Sequence, residues 1–298
     1  MITRFFSANI LKILNSSVVI LWQLLPLDKR KGLAIWIDQH GKVSWFHHLS
    51  MAIIRDWAQI DVNAYHHFLW SNHMGYANLY EKAHTQGFSI EYLPRTKSML
   101  FEDLDEFLTR ERKSNGRRIN IKSVLEVGCS SGYLLHYIET DVFPDAQIIE
   151  GIDIDKYALK KGMSYLSAHL SKVRLSYGDM EDLDNVLGGR VFDFILCNGV
   201  LMYLKEQAAA TVIQMMLKHC RYLVVLTGLA HPKVDNSILR ESVTRFSDGT
   251  FIHNFDRMVR NAGGTVVFRR WEGSKTFDTQ TVYFIFCIPK EPHHLLLS

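Results

Sequence analysis

Short apolar runs separated by helix-like stretches make up the chain from residue 121 onward. The clearest strands are predicted at residues 123–127, 147–153, 191–196, 222–227, 265–271 and 281–288. Helical stretches between successive strands are typical of β-α-β units and a parallel sheet. The polar segment 272–280 leaves no room for a crossover helix, so the last strand is expected to run antiparallel. The pattern therefore predicts an α/β fold with a doubly wound, mostly parallel sheet.

Residues 1–118 differ in composition from the rest and are predicted to be mainly helical. Five of the six tryptophans and seven of the fourteen histidines precede residue 85. Apolar residues recur at spacings of three and four in segments 44–70 and 98–112, as on one face of a helix. The charged segment 110–118, with its Asn-Gly turn signal, indicates a linker. We therefore divide the chain into an N-terminal helical region, residues 1–118, and a second domain, residues 119–298.

Two features bear on where the protein is located. The mostly apolar segment 10–25 is shorter than the ~20 residues that span a bilayer, and no small-residue cleavage site follows it. We predict a buried or interface-facing helix there and no transmembrane segment. The four cysteines form no C-x-x-C pair, which argues against a disulfide framework and against a zinc site made of thiolates. A reducing, cytoplasmic location is the simplest interpretation.

The most informative segment for chemistry is Val124-Leu-Glu-Val-Gly-Cys-Ser-Ser-Gly-Tyr-Leu-Leu135. A buried strand ends in an acid and a glycine, the chain turns tightly, and a helix is expected to start at about Gly132. Glycines there let the backbone approach a ligand closely, and the helix start offers free N–H groups. The segment lacks the middle glycine of G-x-G-x-x-G, which disfavours a dinucleotide site. It also lacks the Gly-Lys-Ser/Thr ending of a P-loop.

This segment resembles the first motif of the class I S-adenosylmethionine (SAM)-dependent methyltransferases, a hydrophobic strand ending in Glu/Asp-x-Gly-x-x-x-Gly. Three later segments resemble further parts of the family in the same order. Residues 148–155 look like its second strand, residues 177–182 like its adenine-side loop, and residues 192–204 like its fourth strand with the following loop. The resemblance covers about residues 120–290. It implies the family's seven-stranded sheet, with the last strand antiparallel, and SAM as the cofactor.

The resemblance also implies a role for each matched residue. The Asp153 carboxylate would accept hydrogen bonds from the ribose hydroxyls. Asp179 would accept one from the adenine amino group while Met180 packs on the ring, and Glu126 would lie near the methionine ammonium. The alternative for Gly128 and Gly132 is a tight turn without a ligand, and the alternative for Glu126 and Asp179 is a structural cap or a surface acid. The predicted cofactor-binding residues are Glu126, Gly128, Ser130, Gly132, Asp153, Ile154, Asp179, Met180, Asn198 and Gly199.

Histidines are the candidates for a catalytic base. Methyl transfer is an in-line displacement, so the enzyme mainly aligns the acceptor and excludes water. An acceptor hydroxyl must also lose its proton, most often to a histidine. His231 and His253 are expected in loops on the cofactor side of the sheet, and His73 with its neighbours Tyr76 and Tyr80 can line the cavity. A hydrogen-bonded loop or helix-end histidine is the structural alternative for each.

Two histidine pairs, residues 47–48 and 66–67, raise the question of a metal site. Adjacent residues on a helix point about 100° apart, so neither pair forms a two-ligand face. No His-Glu-x-x-His motif or carboxylate-rich loop accompanies them, and the acidic segment 178–182 is explained by the adenine role. We predict no bound metal.

The predicted function is SAM-dependent methyl transfer to a small molecule, most simply to an oxygen of a sugar or secondary metabolite. The N-terminal region would then shape the acceptor pocket, and it is also a candidate homodimer interface. The chain lacks the Asn/Asp-Pro-Pro-Tyr/Phe loop of base-amino methyltransferases, because Asn198-Gly-Val-Leu201 stands there, and it lacks a Pro-Cys nucleophile. The formal net charge of +3 gives no strong basic field, so a nucleic-acid acceptor is disfavoured, whereas a protein acceptor stays open.

Two other classes of function compete with this prediction. The first is a scaffold or partner subunit that keeps the cofactor fold without turnover. The second is a nicotinamide-dependent oxidoreductase on a related sheet, which the missing middle glycine disfavours. Binding of S-adenosylhomocysteine (SAH) without binding of NAD would exclude the oxidoreductase, and methyl turnover would exclude the scaffold.

Overall fold

The computed structural model describes Trp22 and residues 24–40, 44–75, 95–115, 119–245, 249–273 and 282–290. The chain forms two compact units, Met1–Lys82 and Ala83–Ser298. Most of the predicted helix at residues 10–25 lies outside the described residues. None of the described helices is long and apolar enough to cross a membrane.

The described part of the N-terminal unit is helical, as predicted. Its helices are α1 (Leu27–His40), α2 (Ser44–Ile54), α3 (Trp57–Ile60) and α4 (Val62–Ser71). Their apolar faces share one core, which includes Ile53, Ile54 and Trp57. The buried guanidinium of Arg30 pairs with Asp56 at 2.7 Å, so a charge within this core has a partner.

The second unit begins, among the described residues, with helix α5 (Arg95–Asn115). The sequence division at residue 118 separates this helix from the sheet domain. In the structure its buried side chains Leu100, Phe101, Leu104 and Phe107 belong to the same apolar core as strands of the sheet. The periodic pattern predicts the helix itself, whereas its packing partner depends on which apolar surface the tertiary structure leaves open to it.

A seven-stranded sheet organises this unit, and the predicted fold class is confirmed. Its strands in chain order are β1 (Ser123–Val127), β2 (Ile148–Asp153), β3 (Arg174–Tyr177), β4 (Phe192–Asn198), β5 (Cys220–Gly228), β8 (Thr265–Glu272) and β9 (Val282–Ile288). The spatial order is β3-β2-β1-β4-β5-β9-β8. The first five strands are parallel, and β9 runs antiparallel to both β5 and β8.

Helices cover both faces of the sheet, which is the doubly wound arrangement. The helices after α5 are α6 (Tyr133–Tyr137), α7 (Lys156–Ala168), α8 (Leu183–Leu187), α9 (Glu206–Lys218) and α10 (Phe255–Asn261). Neighbouring residues of β1 point into different cores: Val124 packs with α5 to α7, and Leu125 packs with α8 to α10. All five residues of β1 are buried, as expected for a central parallel strand.

Two structural features differ from the predicted strands. Strand β3 is absent from the prediction, because only Leu175 of its four residues is buried and the apolar run is therefore too short to detect. A small antiparallel hairpin, β6 (Val243–Thr244) and β7 (Phe251–Ile252), also lies outside it. The hairpin belongs to the segment between β5 and α10, on the carboxyl-end side of the parallel strands.

Tyr283 on β9 provides a test of how the antiparallel part of the sheet is held. Its buried hydroxyl donates to Asp256 Oδ2 at 2.9 Å and accepts from Phe255 N at 3.0 Å. Burial raises the pKa of Tyr283, so the hydroxyl stays protonated. We expect Tyr283→Phe to lower the free energy of unfolding by about 1–3 kcal/mol, because two buried polar groups lose a partner.

Chemical denaturation measures this difference. Tyr177→Phe is the matched control, because Tyr177 is 55% exposed, and it should change the free energy of unfolding by less than about 0.5 kcal/mol. Equal losses in the two variants would contradict the role given to the Tyr283 hydroxyl.

Candidate functional site

The turn between β1 and α6 has an unusual backbone. Gly128 and Gly132 both have a φ of 77°, and Ser130 between them has a φ of 55°. Gly128 N and Cys129 N donate to Ile152 O on β2 at 2.9 and 3.0 Å, which ties the turn to the neighbouring strand. A left-handed serine is strained, and such strain is common where a loop must meet a ligand. The tight turn predicted from the glycine spacing is present.

Gly128 also needs to be a glycine because the Val200 side chain packs against it. A Cβ atom at this position would be 2.4 Å from Cγ2 of Val200, in the loop after β4. The structure thus brings the first and fourth motifs of the sequence into contact. Because the Val200 side chain already occupies this space, only a glycine lets the two loops pack this closely.

Asp153, at the end of β2, lies beside this turn. Its Oδ2 accepts from Ser130 N at 2.7 Å, and its Oδ1 accepts from Asp155 N at 2.8 Å. Burial raises the pKa of the Asp153 carboxyl, while these hydrogen bonds act in the opposite direction. A carboxylate has about four acceptor positions, so two N–H groups leave capacity for a pair of ligand hydroxyls.

Glu126 is a second carboxylate near the carboxyl end of the sheet. It lies on β1 and is 2% exposed. Burial raises the pKa of the Cys129 and Cys197 thiols, and the negative charge of Glu126 adds to the increase in both. A carboxylate can pair with a cationic group of a ligand, and the placement of Glu126 beside such a group stays a prediction.

The loop after β3 carries the predicted adenine-side residues. Gly178 N donates to Asp153 O at 3.1 Å, which holds this loop against the end of β2. The Asp179 side chain accepts from Glu181 N at 2.9 Å and so caps a short turn that begins at Met180. Met180 and Ile154 are both half-buried. Ile154 therefore lies in the loop after β2, directly after Asp153, and Asp179 and Met180 lie in the neighbouring loop after β3.

The loop after β4 carries the last two predicted cofactor residues. Asn198 Oδ1 accepts from the Thr227 hydroxyl at 2.8 Å, so its side chain is held by β5. Gly199 has a φ of 69°, and a Cβ atom there would meet nothing within 4 Å. A glycine is favoured at position 199 because of the positive φ, and not because a side chain would clash. With this loop, the ten predicted cofactor residues lie on the carboxyl-end sides of four neighbouring parallel strands, where ligands of open α/β sheets bind.

His231 lies in the loop after β5, as predicted. Its Nδ1 accepts from the backbone N–H groups of Lys233 and Val234, each at 3.2 Å. A neutral imidazole with an accepting Nδ1 carries its proton on Nε2. In this arrangement His231 is therefore a hydrogen-bond donor through Nε2.

His253 follows β7 and is 1% exposed. Its Nε2 donates to Leu201 O at 3.0 Å, and its Nδ1 accepts from the Ser242 hydroxyl at 2.7 Å. Both ring nitrogens are therefore engaged within the protein. Burial lowers the pKa of His253, which favours the neutral ring.

His73 belongs to the N-terminal unit, where it ends the turn after α4 with a φ of 59°. Its backbone N–H donates to Trp70 O at 3.1 Å. Its predicted neighbours Tyr76 and Tyr80 lie outside the described residues. The role of His73 as a base stays a prediction.

The two histidine pairs of the N-terminal unit are split between interior and surface. His47 and His66 are buried, whereas His48 and His67 are exposed, as the helical geometry predicts. His47 Nδ1 lies 2.8 Å from Asp38 Oδ1, so its partner is a carboxylate of the same unit. Within the described ranges, no three His, Cys, Asp or Glu side chains come together as a metal-binding group.

Asn236 is a structurally central residue that the sequence analysis missed. This fully buried amide accepts from His231 N at 2.7 Å and from Trp271 Nε1 at 3.0 Å. It donates to Leu229 O at 2.9 Å and to His253 O at 2.7 Å. Its four partners lie on three segments of the chain. In the sequence it stands in an Asp-Asn-Ser stretch, which is typical of a solvated turn and gives no sign of burial.

Comparison with known proteins agrees with this geometry. Residues 120–246, which contain all four of these loops, match the family model of a methyltransferase domain. No curated protein matches the sequence.

Solved structures that resemble the chain share little sequence with it. One is a magnesium protoporphyrin IX methyltransferase from Synechocystis with bound SAH, at 12% identity and a TM-score of 0.47, covering 70% of this chain and 93% of that one. A SAM-dependent methyltransferase from Clostridium acetobutylicum has 11% identity and a TM-score of 0.49, covering 72% and 100%. An O-methyltransferase family protein from Burkholderia thailandensis has 15% identity and a TM-score of 0.42, covering 57% and 52%.

Proposed function

We propose that this protein is a class I SAM-dependent methyltransferase, as the match of residues 120–246 to a methyltransferase domain supports, and that it transfers the methyl group to an oxygen atom of a small molecule, such as a sugar or secondary metabolite. The observation that carries the proposal is the loop after β4. It contains Asn198-Gly-Val-Leu201 in place of a Pro-Pro segment and closes in a short turn, Leu201–Tyr203. The loop after β5, which carries His231, follows the neighbouring strand and supplies a donor for an acceptor oxygen.

The roles proposed for the cofactor residues follow from the chemistry of each group. Asp153 would bind the two ribose hydroxyls, and Asp179 would bind the adenine amino group beside Met180. Glu126 would meet the methionine ammonium, and the turn at Gly128 lets the backbone approach the same end of the cofactor. When bound, SAM supplies a methyl group on a sulfonium, which is electrophilic without help from the protein. The chain's own task is then to align the acceptor in line with the methyl group and to exclude water.

The histidines enter this proposal in different ways. For His231 to accept a proton on Nε2, its Nδ1 would have to carry a hydrogen, which would then face the N–H groups of Lys233 and Val234. His231 is therefore better suited to donate a hydrogen bond to the acceptor than to remove its proton. His253 has both nitrogens engaged. His73 stays the candidate base in the N-terminal unit.

Two finer parts of the proposal concern location and assembly. The four cysteines are free and buried, which is consistent with a reducing compartment and supports a cytoplasmic location. Trp36 and Ile60 are large apolar side chains that are exposed on the N-terminal unit. Such side chains support the proposal that this unit contributes to a homodimer.

Methyl-labelled SAM tests the acceptor class. The enzyme is incubated with the label and an extract of the source cell, and the products are separated by size before counting. We expect label in the small-molecule fraction, and none with Asp153→Ala, which serves as the cofactor-site control. Label on macromolecules would contradict a small-molecule acceptor and favour protein or nucleic acid. SAH binding without any transfer of label would favour the scaffold alternative.

A further inference from the structure

We propose that His253 is a positioning residue of the cofactor site, which holds the loop after β4 against the turn at Gly128. It does not take a proton from the acceptor. The inference depends on the cofactor and not on the identity of the acceptor, so it can be tested by SAH binding.

The hydrogen bonds of the ring define its protonation. The partner of Nε2 is the carbonyl oxygen of Leu201, which can only accept, so Nε2 carries the proton. The lone pair of Nδ1 then accepts from the Ser242 hydroxyl. No lone pair of the imidazole remains for a proton from the acceptor. The ring also stacks on Phe251 at a centroid distance of 5.9 Å and is 1% exposed, so it is enclosed by protein.

The loop that His253 holds is part of the cofactor site. Leu201 is fully buried, and its carbonyl also accepts from Leu204 N at 3.1 Å, which closes the short turn after β4. Val200, the preceding residue, fills the space that a side chain at Gly128 would need. Fixing the Leu201 carbonyl therefore fixes the side chain that packs on the glycine turn. Gly199 lies on the same loop, one residue further back.

His253 and its partner Ser242 are themselves held by hydrogen bonds to other parts of the protein. Ser242 N donates to Glu206 Oε2 at 2.6 Å, and Glu206 pairs with Arg257 on α10. The backbone carbonyl of His253 accepts from Asn236 Nδ2 at 2.7 Å. The residue is thus attached to the start of α9 and to the loop after β5. Because the ring itself is held in place, its hydrogen bond to Leu201 O restricts the position of the loop after β4.

Isothermal titration with SAH compares the wild type with His253→Ala and His253→Gln. We expect His253→Ala to raise the Kd about 10-fold, because the Leu201 carbonyl loses its buried donor and the loop is released. His253→Gln should recover most of the affinity, because a Gln amide can donate to Leu201 O and accept from Ser242. The recovery distinguishes a specific hydrogen-bonding role from general packing.

Tyr283→Phe is the stability-matched control. It removes two buried hydrogen bonds beside the start of α10, and neither of them reaches the loop after β4. We expect it to keep the Kd for SAH within about 2-fold of the wild-type value. An unchanged Kd in a folded His253→Ala variant would overturn the proposal, as would an equal loss in Tyr283→Phe.

Ser242→Ala keeps the test possible if His253→Ala does not fold. It removes the hydroxyl that orients the ring, and it should raise the Kd by a smaller factor, about 3-fold. Once an acceptor is known, His253→Gln should retain the pH dependence of kcat. A lost limb of that profile with unchanged SAH affinity would make His253 the base and overturn the inference. Failure of the proposed acceptor class would leave the comparison of Kd values unaffected.

Discussion

Replacing Gly128 by alanine is expected to raise the Kd for SAH by about 100-fold or more, because displacements of about 1 Å in a site can have effects of this size. The added methyl group would be 2.4 and 2.9 Å from the two Cγ atoms of Val200, far inside van der Waals contact. Either the turn at Gly128 or the loop after β4 must then shift. Both belong to the proposed cofactor site, so the loss should appear in binding.

Gly188→Ala separates this effect from backbone strain. Gly188 also has a positive φ, 56°, but a Cβ atom there would meet nothing within 4 Å. Both variants are expected to lose about 1–2 kcal/mol of stability through the left-handed backbone. Only Gly128→Ala should lose affinity for SAH in titration calorimetry.

A second substitution tests the contact directly. Val200→Ala removes the two Cγ atoms and leaves a Cβ atom 3.1 Å from the new methyl group at position 128. Gly128→Ala combined with Val200→Ala should therefore bind SAH more tightly than Gly128→Ala alone. Equal affinity of Gly128→Ala and the wild type would contradict the placement of the cofactor at this turn.

Asp153→Ala is expected to raise the Kd for SAH by about 100-fold, because hydrogen bonds to a charged group contribute about 1.5–3 kcal/mol each. The variant loses the acceptor for the ribose hydroxyls. It also releases Ser130 N and Asp155 N, the two donors that hold the loops on either side of the carboxylate. Asp145→Ala is the matched control, because Asp145 is exposed and precedes β2 at the opposite end of the sheet, and its affinity should be unchanged.

The raised pKa of Asp153 adds a pH dependence to this prediction. Its folded-state pKa lies above the ordinary value of 3.8, with burial as the main cause. Its contribution to stability is therefore fully present below pH 3.8 and is lost as the pH rises through the folded-state pKa. SAH binding needs the ionised form, so affinity should fall as the pH drops through that pKa. Titrations over this range should show the fall in the wild type and not in Asp153→Ala.

The sequence predicts the central strands well because their physical signal is local. A parallel strand buried on both faces must be a continuous apolar run, and the runs predicted for β1, β2, β4 and β5 end within two residues of the observed strands. The runs predicted for the antiparallel strands β8 and β9 match equally closely. Strand β3 lies at the edge of the sheet and buries only Leu175, so its run is too weak to detect. The glycine spacing of the first motif likewise predicts the tight turn, because a left-handed backbone restricts the residue type locally.

The tertiary structure decides what depends on partners far apart in the chain. Val200 is the reason that Gly128 tolerates no side chain, and Leu201 lies 52 positions from the histidine that holds it. The helix Arg95–Asn115 is predicted by its periodicity, yet its partner core is set by the sheet that forms after it in the chain. Residue types and spacing therefore predict the sheet of this protein, and they account for the match of residues 120–246 to a methyltransferase domain. The roles of His253 and Asn236 follow only from contacts that folding creates. Which donors and acceptors of a side chain are left for a ligand depends on which of them already bind partners within the protein.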